Sequence, residues 1–163
     1  MRAAVVTVST SVARGGAEDV SGPRLVELCR AAGLEVRHEV VADDRAALSA
    51  LLTRLADEDD VRFVFTTGGT GMTGDDVTPE ATRDVLERDA PGYAEAIRVE
   101  SLRHTPLGLL TRGVSGIRGR TLIVNLPGSP KGVDESWPVI EPTLGHAART
   151  LESAVGSPHA GGG

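Results

Sequence analysis

The chain has 163 residues, which suits one domain around a single buried core. Its net charge of −6 provides no general attraction for a polyphosphate backbone, and its aromatic residues are too few for the stacking surfaces of single-strand nucleic-acid binders. A single cysteine excludes an intrachain disulfide and a cysteine-based zinc site, which is typical of a cytoplasmic protein. No apolar run is long enough to cross a membrane. The sequence therefore predicts a cytoplasmic protein that binds neither nucleic acid nor membrane.

The first half of the chain alternates between apolar runs and amphipathic stretches. Residues 3–9 are apolar and β-branched, which predicts a buried strand, and the polar residues 10–22 predict a long loop. Pro23 is tolerated at the first position of a helix, and Gly33 ends the apolar face that follows it. A helix is therefore predicted between them, with Cys29 on its buried face.

Two more strands and another helix complete this half. Residues 34–41 alternate enough for a second strand, and residues 61–67 predict a third that runs into a glycine-rich segment. Between these strands, Asp43 or Asp44 can cap a helix whose leucines recur with helical spacing at positions 48, 51, 52 and 55.

The second half predicts helices at 79–88 and 92–103, strands at 108–112, 114–117 and 121–126, and a final helix at 130–151 bent at Pro138 and Pro142. Strands that alternate with helices predict an α/β fold, with a mostly parallel central sheet and helices on both faces. We expect one domain over residues 1–155 and a disordered tail at residues 156–163. Function is expected in the loops at the carboxyl ends of the strands.

The first such loop is glycine-rich. Gly68, Gly69, Thr70 and Gly71 follow a buried strand directly, where free backbone amides can bind an anion without obstruction by side chains. The segment matches neither the P-loop nor the dinucleotide-binding pattern. A tight turn without a ligand is the alternative interpretation.

Two aspartates in the second loop need a separate explanation. Thr78 as an N-cap and Pro79 at the first helical position account for the helix start, but not for Asp75 and Asp76. These carboxylates would repel an anionic ligand unless a divalent cation lay between them and it. Asp43 favours the metal, because adjacent parallel strands would bring a second carboxylate to the same edge; a solvated acidic loop is the alternative.

The third loop, residues 125–132, again joins a buried strand to a helix. Ser129 suits the N-cap and Pro130 the first helical position, and Lys131 adds a positive charge. A second exposed helix N-terminus suits a second anionic group. An ordinary capped helix with a surface lysine is the alternative.

Several other polar or aromatic residues carry weaker signals. Ser101 and Ser115 could bond a ligand, although a single serine is more often a cap or turn residue. His104 has no second ligand at metal-binding spacing and is expected in a loop, and Trp137 is expected to pack or to contact a subunit.

Taken together, the three loops resemble the molybdopterin adenylyltransferase family, the MogA and MoaB type of molybdenum cofactor biosynthesis protein that also forms the N-terminal domain of gephyrin. The resemblance covers about residues 5–151 and is carried, in order, by TTGGTG (66–71), DVTPEAT (76–82), APGYAEAIR (90–98), residues 101–119 and TLIVNLPGSPKG (121–132). It implies a three-layer α/β fold and a homotrimer. It also implies Mg²⁺-dependent transfer of AMP from ATP to the terminal phosphate of molybdopterin, which gives adenylyl-molybdopterin and pyrophosphate.

The resemblance also implies roles for individual residues. Asp43 and Asp76 correspond to the acidic positions that serve catalysis and hold the metal. The nucleotide and phosphate surface would comprise Gly68, Gly69, Thr70, Gly71, Thr78 and Pro79, and the molybdopterin surface Ser101, Ser115, Asn125, Pro127, Gly128 and Ser129, with Lys131 beside them. A molybdate-inserting enzyme would be the partner that takes over the product.

The chain departs from the family pattern at two places. It has Ala42, Asp43 and Asp44 where many members have Pro-Asp-Glu, and Asp75 where a basic residue often stands. A second hypothesis is a non-catalytic molybdopterin-binding or scaffold protein, since some members have lost the transferase activity. The intact motif from Asp76 to Pro79 favours the enzyme.

Overall fold

The computed structural model describes residues 1–153, so the tail predicted at 156–163 lies outside the described residues. The strands are β1 (Arg2–Val8), β2 (Glu35–Val41), β3 (Phe63–Thr67), β4 (Arg88–Asp89), β5 (Ser115–Arg118) and β6 (Thr121–Leu126). The helices are α1 (Thr10–Ala13), α2 (Ser21–Ala31), α3 (Arg45–Asp57), α4 (Thr78–Val85), α5 (Gly92–His104), α6 (Pro130–Ile140) and α7 (Leu144–Ser153).

All six strands form one sheet in the order β2-β1-β3-β6-β5-β4. The first four strands are parallel, whereas β5 is antiparallel to β6 and β4 is antiparallel to β5. The predicted α/β fold with a mostly parallel sheet is thus confirmed. The carboxyl ends of β1, β3 and β6 lie side by side at one edge, which is where a parallel sheet of this kind binds ligands.

Helices cover both faces of the sheet and give three layers. Alternating residues of β1 divide between the faces: Val5 belongs to the core that includes residues of α2, α5, α6 and α7, and Val6 to the core that includes residues of α3 and α4. Cys29 is fully buried in the first of these cores, as predicted, and burial raises the pKa of its thiol to about 12. Trp137 is also a packing residue, with its ring edge-on to Phe65 at 5.5 Å.

Local hydrogen bonds override the predicted structure at two places. Residues 10–13, predicted as loop, form the short helix α1, because Ser9 caps it by accepting from the Val12 amide. The strand predicted at 108–112 is wrong: residues 106–110 form a 3-10 turn that starts at a proline and is capped by Thr105.

The ends of two helices also differ from the predictions. The helix predicted at 79–88 ends at Val85, and the chain then forms the short strand β4. The final helix does not merely bend: it is broken into α6 and α7 by a 3-10 turn at Glu141–Thr143, because Pro142 cannot continue the hydrogen-bond ladder. Within residues 1–153, no helix is both long and apolar enough to span a membrane.

Candidate active site

Two of the three predicted loops meet at the edge of the sheet. The Thr67 hydroxyl donates to the carbonyl of Pro127 at 2.7 Å, and a methyl group at Gly128 would lie 3.1 Å from the Cα of Gly68. A cleft of about 450 Å³ opens beside this contact, a volume suited to a small ligand. Its lining includes many of the residues predicted for the site, namely Gly69, Thr70, Gly71, Asp76, Ser101, Pro127, Gly128, Ser129 and Lys131.

The glycine-rich loop has a backbone conformation that favours glycine. Gly68 and Gly69 have φ angles of +99° and +66°, in the left-handed region that side chains rarely adopt. A side chain at Gly68 would also collide with the carbonyl of Val8, and one at Gly69 with the hydroxyl of Thr78. Both glycines are therefore required by the shape of the loop.

The loop turns its carbonyl groups into the protein. The carbonyls of Gly68 and Gly69 accept from the hydroxyl and amide of Thr78, at 2.9 and 3.1 Å. Those of Thr70 and Gly71 accept from the amide and Nε of Arg112, at 2.8 and 2.7 Å. The amides of Gly69 and Thr70 have no hydrogen-bond acceptor within residues 1–153, so they are available to an anion in the cleft.

Asp76 lies against this loop and lines the cleft. Its Oδ2 accepts from the amide and the hydroxyl of Thr73, at 2.9 and 2.7 Å. Burial raises the pKa of Asp76, but the bonds from Thr73 and the Gly71 amide and the charge of Arg112 outweigh it, so the pKa lies below its ordinary value. Asp75, by contrast, is exposed.

Asp43 lies beside the same loop, at Gly69, but is not among the residues that line the cleft. Asp43 follows β2. The predicted adjacency of β2 and β3 is wrong, because β1 lies between them. The Oδ2 of Asp43 accepts hydrogen bonds from the amide and the hydroxyl of Thr10, at 2.8 and 3.0 Å, and these bonds connect Asp43 to α1. Its Oδ1 would lie 3.3 Å from a methyl group at Gly69 and accepts no hydrogen bond from the described residues.

Two carboxylates thus lie beside the loop, one at Gly69 and one at Gly71. No group of three or more acidic, histidine or cysteine side chains within residues 1–153 could hold a metal ion. Mg²⁺ does not need such a group, because it commonly binds one or two carboxylates and completes its shell with water and substrate phosphates. Asp43 and Asp76 fit that mode, since each has its Oδ2 held by a threonine and its Oδ1 outside those bonds.

Arg112 is the main residue that the sequence analysis missed. Besides holding the loop carbonyls, its guanidinium donates to the carbonyl of Asp76 at 2.7 Å and pairs with the carboxylate of Glu80. This pairing lowers the pKa of Glu80 and raises that of Arg112. Arg112 therefore fixes the loop and the segment that carries Asp76 to the first turn of α4.

Thr78 and Pro79 support the site from outside the cleft. Thr78 is fully buried and is the first residue of α4, and no side chain of the described residues caps that helix, so the predicted N-cap role of Thr78 is wrong. The Thr78 hydroxyl instead donates a hydrogen bond to the carbonyl of Gly68. Pro79 stands near the helix start, as predicted, and is buried.

Residues of α5 and α6 also line the cleft. Ser129 caps α6, as predicted, by accepting from the Gly132 amide at 3.0 Å. The hydroxyl of Ser101 forms no hydrogen bond within the described residues, and the side chain of Lys131 is 81% exposed at the rim. These groups leave donors for a second polar ligand beside the anion-binding loop.

Two of the residues expected at the molybdopterin surface do not reach the cleft. Ser115 and Asn125 are each 3% exposed. The Ser115 hydroxyl joins Ala90 to the start of α5, and the Asn125 amide bonds three neighbours in the core. Both residues hold the sheet around the site rather than line it.

A larger cleft, of about 570 Å³, lies at the opposite edge of the sheet. Both arginines in its lining are already paired with acidic side chains of the same cleft, Arg37 with Asp59 at 2.9 Å and Arg2 with Asp60 at 3.5 Å. Among the residues that the structure describes, this cleft offers no glycine-rich loop of free amides, so it is not the candidate site.

Comparison with known proteins gives relatives over most of the chain. Residues 4–146 match the family model described as a probable molybdopterin binding domain. The molybdopterin adenylyltransferase of Helicobacter pylori strain J99 is 38% identical over 143 residues, covering 86% of this chain and 81% of that protein. The molybdenum cofactor synthesis protein cinnamon of Drosophila melanogaster is 39% identical, but the chain spans only 26% of its length.

Solved structures also resemble this chain over most of its length. The crystal structure of the molybdopterin biosynthesis enzyme MoaB from Thermus thermophilus has a TM-score of 0.87 and 42% identity, covering 93% of this chain and 96% of that one. A molybdopterin biosynthesis protein from Mycobacterium abscessus has a TM-score of 0.86 and 38% identity, covering 94% and 98%. The chain therefore belongs to the molybdopterin-binding family of molybdenum cofactor biosynthesis proteins.

Proposed function

We propose that this protein is a molybdopterin adenylyltransferase, which transfers AMP from ATP to the terminal phosphate of molybdopterin. The observation that carries the proposal is the loop at 68–71, whose carbonyls are all held by the protein and whose Gly69 and Thr70 amides are free in a cleft that Asp76 also lines. Relatives named for this activity, at 37–38% identity, support it.

In the reaction, an oxygen of the molybdopterin phosphate forms a bond to the α-phosphorus of ATP. The bond between that phosphorus and the pyrophosphate oxygen breaks, and pyrophosphate leaves with the electron pair. Both reactants are anions, so the protein must align them and offset their charge rather than form a covalent intermediate.

Each part of the site has a role in that task. The amides of Gly69 and Thr70 would bind phosphate oxygens of ATP, and Ser101, Ser129 and Lys131 would bind molybdopterin. Mg²⁺, held by Asp43 and Asp76, would supply positive charge to the phosphates. Arg112 keeps the loop in shape, since its guanidinium is already committed to the Asp76 carbonyl and Glu80.

The test is to incubate the purified protein with molybdopterin, ATP and Mg²⁺ and to measure adenylyl-molybdopterin and pyrophosphate. We expect both products in equal amounts, and neither when molybdopterin or Mg²⁺ is left out. Molybdopterin binding without any product would instead support the non-catalytic binding or scaffold hypothesis.

The assembly is proposed to be a homotrimer in the cytoplasm, with a molybdate-inserting enzyme as the next partner. Exposed leucines at the end of α5 and in the following 3-10 turn support self-association, because Leu107 is 66% and Leu109 is 71% exposed. Light scattering should give a mass near three times 16.9 kDa. A monomer at micromolar concentration would refute the trimer.

A further inference from the structure

Glu135 is a carboxylate in the cleft that no role described so far uses. It lies in the second turn of α6, its side chain is only 15% exposed, and it lines the same cleft as Gly69 and Ser129. It accepts no hydrogen bond from residues 1–153: the nearest cations are His104 Nδ1 at 3.6 Å and Lys131 Nζ at 3.7 Å. Both distances are beyond hydrogen-bonding range.

No buried side-chain oxygen of the described residues lacks a partner, so the unbonded oxygens of Glu135 are accessible, and in the cleft they can accept hydrogen bonds from a ligand. The pyrimidinone edge of a pterin carries two adjacent donors, the N3–H group and the 2-amino group, which match the two oxygens of a carboxylate. Building on the proposed function, we propose that Glu135 determines specificity for the pterin ring by accepting hydrogen bonds from both groups.

The arrangement of the cleft supports this assignment. The cleft is lined both by Gly69 and Thr70 of the glycine-rich loop and by Ser129, Lys131 and Glu135 of the α6 segment. A ligand with a donor-rich ring and a terminal phosphate would therefore find an acceptor for its ring at Glu135 and amide donors for its phosphate at Gly69 and Thr70.

The competing explanation is that Glu135 only orients His104, the last residue of α5 rather than the loop residue predicted. His104 Nε2 also bonds Glu100 at 3.2 Å, and Glu100 does not line the cleft. If Glu135 acted through His104, loss of either carboxylate would have the same effect.

The test uses two fluorescent probes, 6-hydroxymethylpterin phosphate and 6-hydroxymethyllumazine phosphate. They differ at ring position 2, where the pterin has an amino donor and the lumazine has a carbonyl acceptor. We expect the protein to bind the pterin about 30-fold more tightly, because the carbonyl would oppose the carboxylate. In Glu135→Gln, whose amide can donate to that carbonyl, the preference should fall to about threefold or less.

Asp134→Asn is the matched control, since Asp134 is the neighbouring acid on α6 and pairs with Arg24 on the surface. Asp134→Asn and Glu100→Gln should both keep the preference for pterin. The inference is overturned if Glu135→Gln weakens both probes equally, if Glu100→Gln reproduces its effect, or if the unchanged protein does not distinguish the probes.

Failure of this inference can be told apart from failure of the proposed function. Unchanged protein that makes adenylyl-molybdopterin but does not select pterin through Glu135 would refute the inference alone. If it selects pterin but forms no product from ATP, the transferase proposal fails and the ring assignment stands. Circular dichroism checks that each variant is folded.

Discussion

Replacing Asn125 by alanine should destabilise the fold without touching the ligand. The Asn125 amide nitrogen donates to the hydroxyls of Thr66 and Thr82 at 2.9 and 3.0 Å, and its oxygen accepts from the Val114 amide at 3.1 Å. Thr66 and Thr82 are fully buried, so water cannot replace the lost partner. The substitution would leave these polar groups unsatisfied in the core.

The expected magnitude follows from that count of bonds. Each hydrogen bond contributes about 1 kcal/mol, and a buried group left without a partner costs about 1–3 kcal/mol, so Asn125→Ala should lower the free energy of unfolding by about 3–5 kcal/mol. For a chain of this size, about 1 kcal/mol moves the unfolding midpoint by about 2–4 °C, so a fall of about 10 °C is expected.

The assay compares Asn125→Ala with Ser129→Ala by thermal unfolding and by titration with 6-hydroxymethylpterin phosphate. Ser129→Ala removes only a helix cap, about 1 kcal/mol, but it takes a hydroxyl out of the cleft. It should therefore keep most of its stability and lose pterin affinity, the reverse of Asn125→Ala. If Asn125→Ala kept its midpoint but lost affinity for the pterin, the assignment of Asn125 to the core would be wrong.

Other substitutions test the rest of the site. Asp76→Asn should keep the fold and lower adenylyl transfer about 100-fold, whereas the exposed Asp75 tolerates the same change; equal losses in rate assays would refute the assignment. Arg112→Gln should lower kcat by at least about tenfold, because the glycine-rich loop loses the hydrogen bonds of the guanidinium, and Arg112→Lys should have a kcat between those of Arg112→Gln and the unchanged protein. Unchanged kinetics would refute the role of Arg112 in fixing the loop. Because the pKa of Cys29 is raised to about 12, its thiol should resist alkylation at about pH 8 until the protein is unfolded. As the pH rises, the thiol of the unfolded chain ionises before that of the folded protein, which stabilises the unfolded state. The free energy of unfolding should therefore fall above about pH 9, and urea titrations would detect this fall.

The features predicted correctly from the sequence depend on local chemistry. Ser129 followed by a proline indicates a helix start, and the short, β-branched apolar runs of β1, β3 and β6 favour buried strands. The glycine-rich loop can also be predicted, because it follows β3 directly and its glycines leave the backbone uncovered by side chains.

The features missed or misassigned depend on distant contacts. Arg112 acts on carbonyls 36 and 41 residues away, and no sequence pattern marks an arginine for bonds to backbone. Thr78 has the local features of an N-cap, but a tertiary acceptor, the Gly68 carbonyl, takes its hydroxyl. Ser115 and Asn125 lie in segments that resemble the family, and residue type alone does not distinguish a ligand contact from a buried support.

The contact between Gly68 and Gly128 also bears on turnover. Because the two loops touch, the product of adenylyl transfer would span both without any linker, and its two halves would bind as one bivalent ligand. Such a molecule leaves the protein only when both halves have dissociated from their loops, so it should bind more tightly than either substrate. The backbone contact that brings the two loops together is therefore expected to make product release, rather than phosphoryl chemistry, the slow step of the cycle.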